Sequence, residues 1–495
     1  MDKKYQRREI VKLMALSGFS LILPSCGIGA EKNPKELKEK PKKESLPAEP
    51  KKPFDYFNSQ NVSYFQKDQA SYAENNISFN LRIQQKPKII ALCQNSEGVQ
   101  EAVQYAIENE LAISVKSGGH SFEGFSSNDG GMQINLSLMN KLSWGENDTI
   151  IAQPAALLRD LYDFTLPKKK ILPAGSCGTV GLGGLALGGG YGFFSRKYGL
   201  SCDHLLEASM VDGDARLIKT QDNPELLWAL KGGGNGNFGI VTEMKFKSQN
   251  APASFTRHRF KAFKLDVERA NSILKIWFEE SGKLPDHAFS AFVLNRKTLT
   301  ILLTHYEDLD SRIDSMIHSL EVICDKTSKG GPRNLAKSLK TYYGVQYPIP
   351  FKNSSAGYYK NYAHIEKFIE PVLEKIVNGA GLIFQINTLG GKIGDDKFEE
   401  KSCYPHRKMA YLSELQAYWE EGRNPDSLLS EFDEVQNIIY ENGIHRQYRN
   451  YPNLNFKNWD NAYWGEENYK ELQKIKMQYD PKNRISHPQS VKPIF

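Results

Sequence analysis

Two short segments rich in small residues each carry one side chain that could form a covalent bond. Residues 115–121 read V-K-S-G-G-H-S and hold His120, and residues 175–181 read G-S-C-G-T-V-G and hold Cys177. Imidazole and thiolate are good nitrogen and sulfur nucleophiles in proteins. The pairing predicts a prosthetic group held by two covalent bonds, one to each of these side chains.

A run of glycines begins where the second segment ends. Residues 181–192 read G-L-G-G-L-A-L-G-G-G-Y-G, and missing Cβ atoms let backbone amides approach a phosphate closely. Adjacent glycines also disfavour a stable helix, so we expect a loop facing phosphate, with a close helix contact as the alternative. The predicted ligand is therefore large and carries phosphate.

The N-terminal residues predict an export signal followed by a membrane anchor and a linker. We interpret residues 1–25 as an export signal, with the twin arginines Arg7 and Arg8 before a short apolar run. Cys26 ends a lipobox-like L-P-S-C, which predicts a membrane-anchored lipoprotein of the bacterial cell envelope; an uncleaved anchor and an ordinary signal peptide are the alternatives. Residues 26–53, rich in Lys, Glu and Pro, predict a solvated linker.

Charge and cysteine content exclude some classes of function. Residues 1–30 and 31–53 each carry a net charge of +3, so little of the chain's net +6 remains for residues 54–495. A neutral body argues against nucleic-acid binding. No CxxC or HExxH spacing supports a metal site. An odd number of cysteines follows the signal, and their pairing stays open at this point: Cys93, Cys177, Cys202, Cys324 and Cys403.

Hydrophobic spacing predicts the elements that position these segments. We expect strands at 88–93, 111–115, 132–138, 205–211 and 215–220, and helices after a Ser96 cap, over 155–162 and over 224–230. A hairpin turn is predicted at 212–214. The mixture indicates an α+β lobe with glycine-rich loops at the ends of its elements.

Several motifs together resemble one known family. They are SGGHS at 117–121, GSCGTVG at 175–181 with GLALGGGYG at 184–192, RKYGLSCD at 196–203, LLWALKGGGNGNFGIVT at 226–242, YDP at 479–481 and HPQS at 487–490. Their order and spacing resemble the berberine bridge enzyme-like family of FAD-linked oxidoreductases, over nearly all of the chain from residue 54.

The resemblance implies a two-lobed α+β fold with a PCMH-type FAD-binding domain. That domain would span 54–248 and be completed by 446–495, while 249–445 would form a substrate domain with an antiparallel sheet backed by helices. By the same resemblance His120 would bond the 8α-methyl carbon of FAD and Cys177 would bond C6. The candidate cofactor-binding residues are Ser117, Gly118, Gly119, His120, Ser121, Cys177, Thr179, Val180, Gly183, Gly184, Gly188, Gly189, Gly190, Tyr191, Gly192, Gly239, Ile240 and Val241.

Two candidate catalytic residues also follow from the resemblance. Glu414 falls at the position of the base, and alternation would place it on one sheet face with Leu412 and Gln416. In the segment Y-R-N-Y at 448–451 we favour Tyr448 over Tyr451 as the active-site phenol, because Tyr448 and Asn450 would share a strand face. Which of the two tyrosines serves remains open.

The implied reaction is oxidation of a small hydroxyl-bearing substrate, a saccharide or another alcohol. Val180 resembles the position that controls the room for oxygen beside the flavin, so O2 is the expected acceptor and H2O2 the product. A dehydrogenase with a quinone or protein acceptor, and an inactive flavin-bearing surface protein, are the alternatives.

Phe122 stands where the family often has tyrosine, which puts any mechanism that needs that hydroxyl in doubt. Tyrosine and tryptophan clusters such as Tyr418 and Trp419 could stack on substrate, but core packing is the commoner role.

Overall fold

The computed structural model describes residues 59–494. The expected export signal, the lipidation site at Cys26 and the linker at 26–53 lie outside the described residues. The elements of the first lobe are β1 Val62–Gln66, α1 Ala70–Asn75, β2 Ile89–Cys93, α2 Ser96–Glu108, β3 Ile113–Lys116, β4 Met132–Asn135, β5 Leu142–Trp144, β6 Thr149–Ala152, α3 Leu158–Thr165, β7 Lys170–Ile171, α4 Leu182–Leu187, α5 Ser195–Tyr198, β8 Leu205–Asp212, β9 Leu217–Lys219, α6 Pro224–Leu230, β10 Gly239–Lys247 and β11 Gln249–Asn250.

A four-stranded sheet positions the His120 segment. Its order is β1-β2-β4-β3, with β1 antiparallel to β2 and the other pairs parallel. β3 runs directly into residues 117–121. Helix α2 packs on this sheet and begins at Ser96, but its cap is Asn95, whose side chain accepts a hydrogen bond from the Gly98 amide at 2.9 Å. The prediction of Ser96 as the cap was therefore wrong by one residue.

A five-stranded antiparallel sheet, ordered β5-β6-β10-β8-β9, forms the second layer of this lobe. The hairpin predicted at 212–214 joins β8 to β9, with Ala215 in the left-handed region at φ 63°. The short strand β11 still pairs with β7. The chain therefore leaves this lobe just after the boundary expected at residue 248.

The glycine-rich run contains a short helix, contrary to the prediction of a continuous loop. Helix α4, Leu182–Leu187, buries Leu182, Ala186 and Leu187. Gly183 is required there because a Cβ would lie 2.8 Å from the Cβ of Pro154. Burial of the apolar face offsets the low helix propensity of glycine. The helix ends at Gly188, after which Gly189 and Gly190 adopt positive φ.

The second lobe is one large antiparallel sheet with helices against one face. Its strand order is β15-β12-β14-β13-β18-β19-β17, and β16 also pairs with β12. Its elements are β12 Ser254–Phe263, α7 Val267–Ser281, β13 Ala288–Asn295, β14 Thr298–His305, α8 Ser311–Ile323, β15 Lys326–Ser328, β16 Arg333–Asn334, α9 Leu335–Lys340, β17 Phe351–Tyr359, α10 Ile369–Asn378, β18 Ile383–Thr388, α11 Asp396–Glu399, β19 Tyr411–Tyr418 and α12 Asp426–Glu441.

Side chains from alternate positions of the central strands form an apolar core with these helices. Phe384, Ile386 and Leu415 belong to this core together with residues of α7, α8, α10 and α12. Apolar burial of this extent is the main stabilising contribution to such a layer. The opposite face of the sheet is turned toward the first lobe, which confirms the predicted α+β class with an antiparallel sheet backed by helices.

The C-terminal residues return to the first lobe through α13 Trp459–Trp464 and α14 Glu466–Tyr479. The Ile113 amide in β3 donates to the Arg484 carbonyl at 2.7 Å. A fully buried ion pair, Lys476 with Asp480 at 2.6 Å, closes the end of α14. Among residues 59–494, no helix combines the length and the apolar character needed to cross a bilayer.

Candidate active site

A deep cleft between the two lobes collects most of the predicted site residues. Its empty space, including the part open to solvent, measures about 1840 Å³. The predicted residues that line it are Ser117, Gly118, Gly119, His120, Ser121, Cys177, Val180, Gly183, Gly184, Tyr191, Gly192, Gly239, Val241, Glu414 and Tyr448.

Other predicted residues support the wall from behind. Ile240 belongs to the apolar core of the four-stranded sheet. Gly188 is pressed against the side chain of Asn450, and a Cβ at Gly190 would lie 2.6 Å from Ser201 Oγ. A Cβ at Gly189 would lie 3.2 Å from the Tyr404 ring. Thr179 Oγ1 lies 3.7 Å from the sulfur of Cys177.

The two segments that carry His120 and Cys177 contact each other through their backbones. A Cβ at Gly118 would overlap the backbone nitrogen of Gly181. Ser117 Oγ donates to the Pro154 carbonyl at 2.6 Å and holds the first segment in place. Glycine is needed at both contact positions because any side chain would separate the segments.

His120 presents a neutral imidazole to the cleft. Its Nε2 is buried and has no hydrogen-bond partner among the described residues. The ring stacks on Phe79 with centroids 3.9 Å apart. Burial lowers the pKa of His120 to about 3, and a hydrogen bond with the Thr179 backbone offsets this in part. A neutral ring keeps one nitrogen lone pair for bonding.

Cys177 has a less reactive environment. Burial raises the pKa of its thiol, while hydrogen bonds with Thr179 and with the Val180 backbone lower it in part. The neighbouring Gly178 amide donates to the Tyr343 carbonyl at 3.0 Å. The second lobe therefore holds the Cys177 loop in position.

Glu414 lies on β19 and faces the cleft, as its alternation with Leu412 and Gln416 predicted. Burial raises the pKa of this carboxyl group to about 8, against smaller opposing effects of hydrogen bonds with Gln416 and Asn353. The Asn353 amide nitrogen lies 3.4 Å from Glu414 Oε1 and donates to the Tyr418 hydroxyl at 2.8 Å. A carboxyl group with such a pKa can exchange a proton near neutral pH.

Two tyrosine hydroxyls accompany Glu414. Tyr191 and Tyr451 lie within hydrogen-bond distance at 2.9 Å, and Asn387 donates to Tyr191 at 3.2 Å. The pKa of each tyrosine is raised well above its ordinary value, first by burial and further by the charge of Glu414. Both phenols therefore lie within the electrostatic field of the carboxylate.

Tyr448 has a different set of partners. Residues 448–451 form a turn, so the prediction of a strand face shared by Tyr448 and Asn450 was wrong. The Tyr448 hydroxyl accepts hydrogen bonds from the Gly190 amide at 2.9 Å and from Asn450 at 3.0 Å. It lines the cleft but is bound to the glycine-rich run.

Phe122 occupies the space beside Tyr451. The two rings stack with centroids 5.3 Å apart, and Phe122 meets Phe351 edge-on at 5.4 Å. The position next to the phenol is thus apolar. Tyr418 lines the cleft, whereas Trp419 is packed in the core under the helices.

Sequence reasoning missed part of the site. Gly234, Asn235 and Gly236 line the cleft, as does Arg449, which is only 3% exposed. The glycine-rich sequence of residues 232–236 could have predicted that Gly234, Asn235 and Gly236 line the cleft. Arg449 had no such signal, because its burial depends on contacts with distant residues.

The cysteines of the described residues are unpaired, and the metal-ligating side chains there are dispersed. Cys93, Cys177, Cys202, Cys324 and Cys403 are all free thiols, which answers the question of pairing among residues 59–494. No group of three or more His, Cys, Asp or Glu side chains in this range is placed to hold a metal ion.

Comparisons with known proteins agree with this geometry. A family profile described as "FAD binding domain" matches residues 87–221, and one described as "Berberine and berberine like" matches 447–492. An uncharacterised FAD-linked oxidoreductase of Bacillus subtilis is 28% identical, over 86% of this chain and 96% of its own. Glucooligosaccharide oxidase of Sarocladium strictum is 26% identical, over 88% of this chain and 93% of its own.

A solved structure shares the fold. Glucooligosaccharide oxidase of Acremonium strictum superposes with a TM-score of 0.79 at 24% identity, over 88% of this chain and 97% of its own. The cofactor of that protein is described as 6-S-cysteinyl, 8α-N1-histidyl FAD.

The residues of the cleft fit FAD on structural grounds. His120 Nε2 and Asn235 Oδ1 are buried polar atoms without a protein partner. A Cβ at Gly184 would meet nothing within 4 Å, so the backbone there is open to a close-lying phosphate. A nucleotide with a flat ring would supply partners for these groups.

The sequence matches and the shared fold lead to one conclusion. The chain is an FAD-linked oxidoreductase, and it is similar to berberine bridge enzyme-like proteins over most of its length.

Proposed function

We propose that this protein is an oxidase that converts a hydroxyl-bearing small molecule to the carbonyl compound, with O2 as electron acceptor. The observation that carries the proposal is the buried Glu414 with the hydroxyls of Tyr191 and Tyr451, in the same cleft as His120 and Cys177. Bound FAD supplies the hydride acceptor, N5, and the route by which two electrons reduce O2 to H2O2.

His120 and Cys177 are proposed to hold FAD covalently, at the 8α-methyl carbon and at C6. Support comes from the unpartnered imidazole nitrogen of His120 and from the backbone contact that brings the two segments together. The doubly linked FAD of glucooligosaccharide oxidase, which shares the fold, agrees with this proposal. Two bonds would fix the ring against the wall that carries Glu414.

Glu414 is proposed as the general base. In its ionised form it accepts the proton of the substrate hydroxyl as the neighbouring C–H bond breaks, so that a C=O bond forms. Asn353 and Gln416 hydrogen-bond the carboxylate and orient it. The raised pKa makes the carboxylate a stronger base than a solvated glutamate.

Tyr191 and Tyr451 are proposed to position the substrate oxygen. Asn387 donates to Tyr191, which orders the pair. This assignment replaces the earlier preference for Tyr448, whose hydroxyl is engaged by Gly190 and Asn450.

A saccharide is the proposed substrate class. The sequence relative and the structural neighbour described above are both named glucooligosaccharide oxidase, and the cleft is bordered by the aromatic side chains Tyr418 and Phe351. Val180 in the cleft wall is a modest side chain, which favours access of O2 over its exclusion. We also propose export and lipid anchoring at Cys26, a location that would give access to extracellular sugars.

Two measurements test the proposal. Peroxide formation under air is compared with reduction of an artificial acceptor, over a panel of oligosaccharides and simple alcohols. Peroxide produced at the rate of substrate oxidation supports the oxidase; turnover with the artificial acceptor alone would instead indicate a dehydrogenase. If none of the compounds bleaches the flavin, the result would favour a flavin-bearing protein that has no catalytic activity.

A second test addresses the covalent bonds. After acid precipitation the polypeptide should stay yellow and carry the added mass of one FAD. His120→Ala and Cys177→Ala should each leave one surviving bond, and the double variant should release FAD. Release of FAD from the unaltered protein would contradict the covalent attachment.

A further inference from the structure

Arg449 is a deeply buried cation in the wall of the cleft and has no acidic partner. Its guanidinium donates one hydrogen bond, from Nη2 to His487 Nε2 at 2.9 Å. Its Nε is buried without any partner among the described residues. No salt bridge joins Arg449 to a carboxylate within residues 59–494, and Arg449 is among the residues that line the cleft.

The other two arginines that are buried in the described chain have more hydrogen-bond partners than Arg449, although the Nε of each is also unpaired. Arg407 forms a bidentate pair with Asp203, at 2.6 and 2.8 Å. Arg196 donates to the backbone carbonyls of Leu284 and Leu389. A buried charge without a counter-charge is strongly destabilising, so a guanidinium in this setting indicates an anion that binds beside it.

The surroundings of Arg449 leave its positive charge intact. The guanidinium carbon lies 5.5 Å from the ring centroids of Phe125 and Tyr463 and 5.7 Å from that of Trp464. Burial lowers the pKa of His487 well below its ordinary value, so this imidazole is neutral. Because Arg449 donates to Nε2, the ring proton of His487 is on Nδ1, a second donor that lies near the Asn235 backbone without forming a hydrogen bond of ordinary geometry.

The contacts of the neighbouring residue, Asn450, show which part of the cleft lies beside the charge of Arg449. Asn450 donates to the Leu185 carbonyl in α4 at 2.9 Å and accepts from Asn235 at 3.1 Å. The glycines of α4 and of 234–236 therefore converge beside Arg449. The backbone is open at both, since a Cβ at Gly184 would meet nothing within 4 Å and one at Gly236 only His487, at 3.6 Å.

We propose that Arg449 and His487 form an anion subsite that binds the diphosphate of FAD. This inference rests on the proposed FAD-dependent function. It adds the positive charge that balances the negative charge of the diphosphate. Phosphate oxygens accept hydrogen bonds from guanidinium groups with good geometry. Glycines without Cβ atoms let the diphosphate approach closely enough to reach both side chains.

The test uses a background in which FAD binding is reversible. In the full-length His120→Ala/Cys177→Ala protein, affinities for FAD and for riboflavin are measured by fluorescence, with and without Arg449→Met. Loss of a charged hydrogen bond predicts FAD affinity weaker by about tenfold or more. Riboflavin affinity should change less than about twofold, because riboflavin has no diphosphate. Arg449→Lys should recover part of the affinity for FAD.

A thermal measurement separates ligand binding from a structural role. Without FAD, Arg449→Met should unfold at the same temperature as its parent or higher, because an uncompensated charge is removed. With FAD bound it should unfold at a lower temperature. Inorganic pyrophosphate should stabilise the FAD-free parent and not the variant. Arg196→Met is the matched control, a buried arginine outside the cleft, and should leave the ratio of FAD to riboflavin affinity unchanged.

Three outcomes would overturn the proposal. Equal loss of FAD and riboflavin affinity would mean a structural role. Unchanged FAD affinity together with lost turnover of a uronate-ended oligosaccharide would assign the site to a substrate carboxylate. Unchanged values in every assay would remove the subsite altogether. Failure of the unaltered protein to bind FAD would instead contradict the proposed function itself, so the two failures are distinguishable.

Discussion

The two faces of the large antiparallel sheet are both buried but differ in chemistry. On the face covered by helices the central strands present Phe384, Ile386 and Leu415. On the cleft face the alternate positions of the same strands carry polar side chains: Gln385, Asn387, Glu414 and Gln416. Apolar burial stabilises the first face, whereas buried polar groups cost free energy unless they are bonded.

That difference separates stability from function within single strands. Asn353 Oδ1 and Gln416 Oε1 remain without partners among the described residues. Such groups are rarely left unpaired in a folded protein unless a ligand or water completes them. The comparison indicates that substitutions on the helix face should lower stability, whereas substitutions on the cleft face should slow the chemistry without lowering stability.

The largest expected effect is on the cleft face. Glu414→Gln should slow flavin reduction by substrate by about 10²–10⁴-fold, because the amide cannot accept the proton. Stopped-flow absorbance of the flavin measures this rate. The matched control is Glu280→Gln on α7, a buried glutamate bonded to Lys283 and Ser315 outside the cleft. If Glu414→Gln retained the full rate of flavin reduction, Glu414 would not be the general base.

On the helix face the expected loss is in folding. Phe384→Ala should lower the free energy of unfolding by about 3–5 kcal/mol, since it opens a cavity in the apolar core. Denaturant unfolding followed by fluorescence measures it. At a low temperature, where the variant is folded, substrate should reduce its flavin at a rate within about twofold of the parent rate, because Phe384 lies on the face away from the cleft. A large loss of rate at unchanged stability would break the separation of the two faces.

The pH dependence of stability also distinguishes the faces. Burial raises the pKa of Glu414 to about 8 from an ordinary value of 4.5. Between those values the folded protein keeps a proton that the unfolded chain has released, so its stability falls as pH rises, by at most about 1.4 kcal/mol per pH unit.

Glu414→Gln should remove this dependence. The variant and the parent should have similar stability near pH 5, and the variant should be the more stable above pH 8, where the parent carries a buried charge. Urea titrations at several pH values provide the comparison. Parallel stability curves for the two proteins would mean that the carboxyl group titrates normally.

The smallest expected effect compares the two tyrosines. Tyr451→Phe should slow flavin reduction by about tenfold, consistent with loss of one hydrogen bond to the reacting oxygen. Tyr448→Phe should instead lower stability by about 1–3 kcal/mol, because the Gly190 amide loses its acceptor. If the rate depends on Tyr448 and not on Tyr451, the original preference for Tyr448 is correct.

The resemblance to FAD-linked oxidoreductases, the fold class and most of the cleft residues were predictable from short sequence motifs. Segments such as S-G-G-H-S are constrained at consecutive positions, because a backbone that contacts another backbone or a phosphate excludes side chains there. Alternation along β19 likewise predicted that Glu414, Leu412 and Gln416 share a face. Short-range geometry decides such features, so the sequence alone is sufficient for them.

Features that depend on distant partners were not predictable. Alternation could not show that 448–451 is a turn, nor that the hydroxyl of Tyr451 rather than that of Tyr448 pairs with the hydroxyl of Tyr191. The helix at 182–187 contradicts glycine propensity because burial against the first lobe outweighs it.

Sequence by itself determined which reactive side chains this protein carries and that they occur in loops of small residues. Only the tertiary structure decided their protonation and their partners, because a pKa and an unpaired charge depend on solvent exclusion by residues far apart in the chain. Arg449 is the clearest case: its type is plain in the sequence, and its lack of a counter-charge exists only once the C-terminal residues have packed on the first lobe around it.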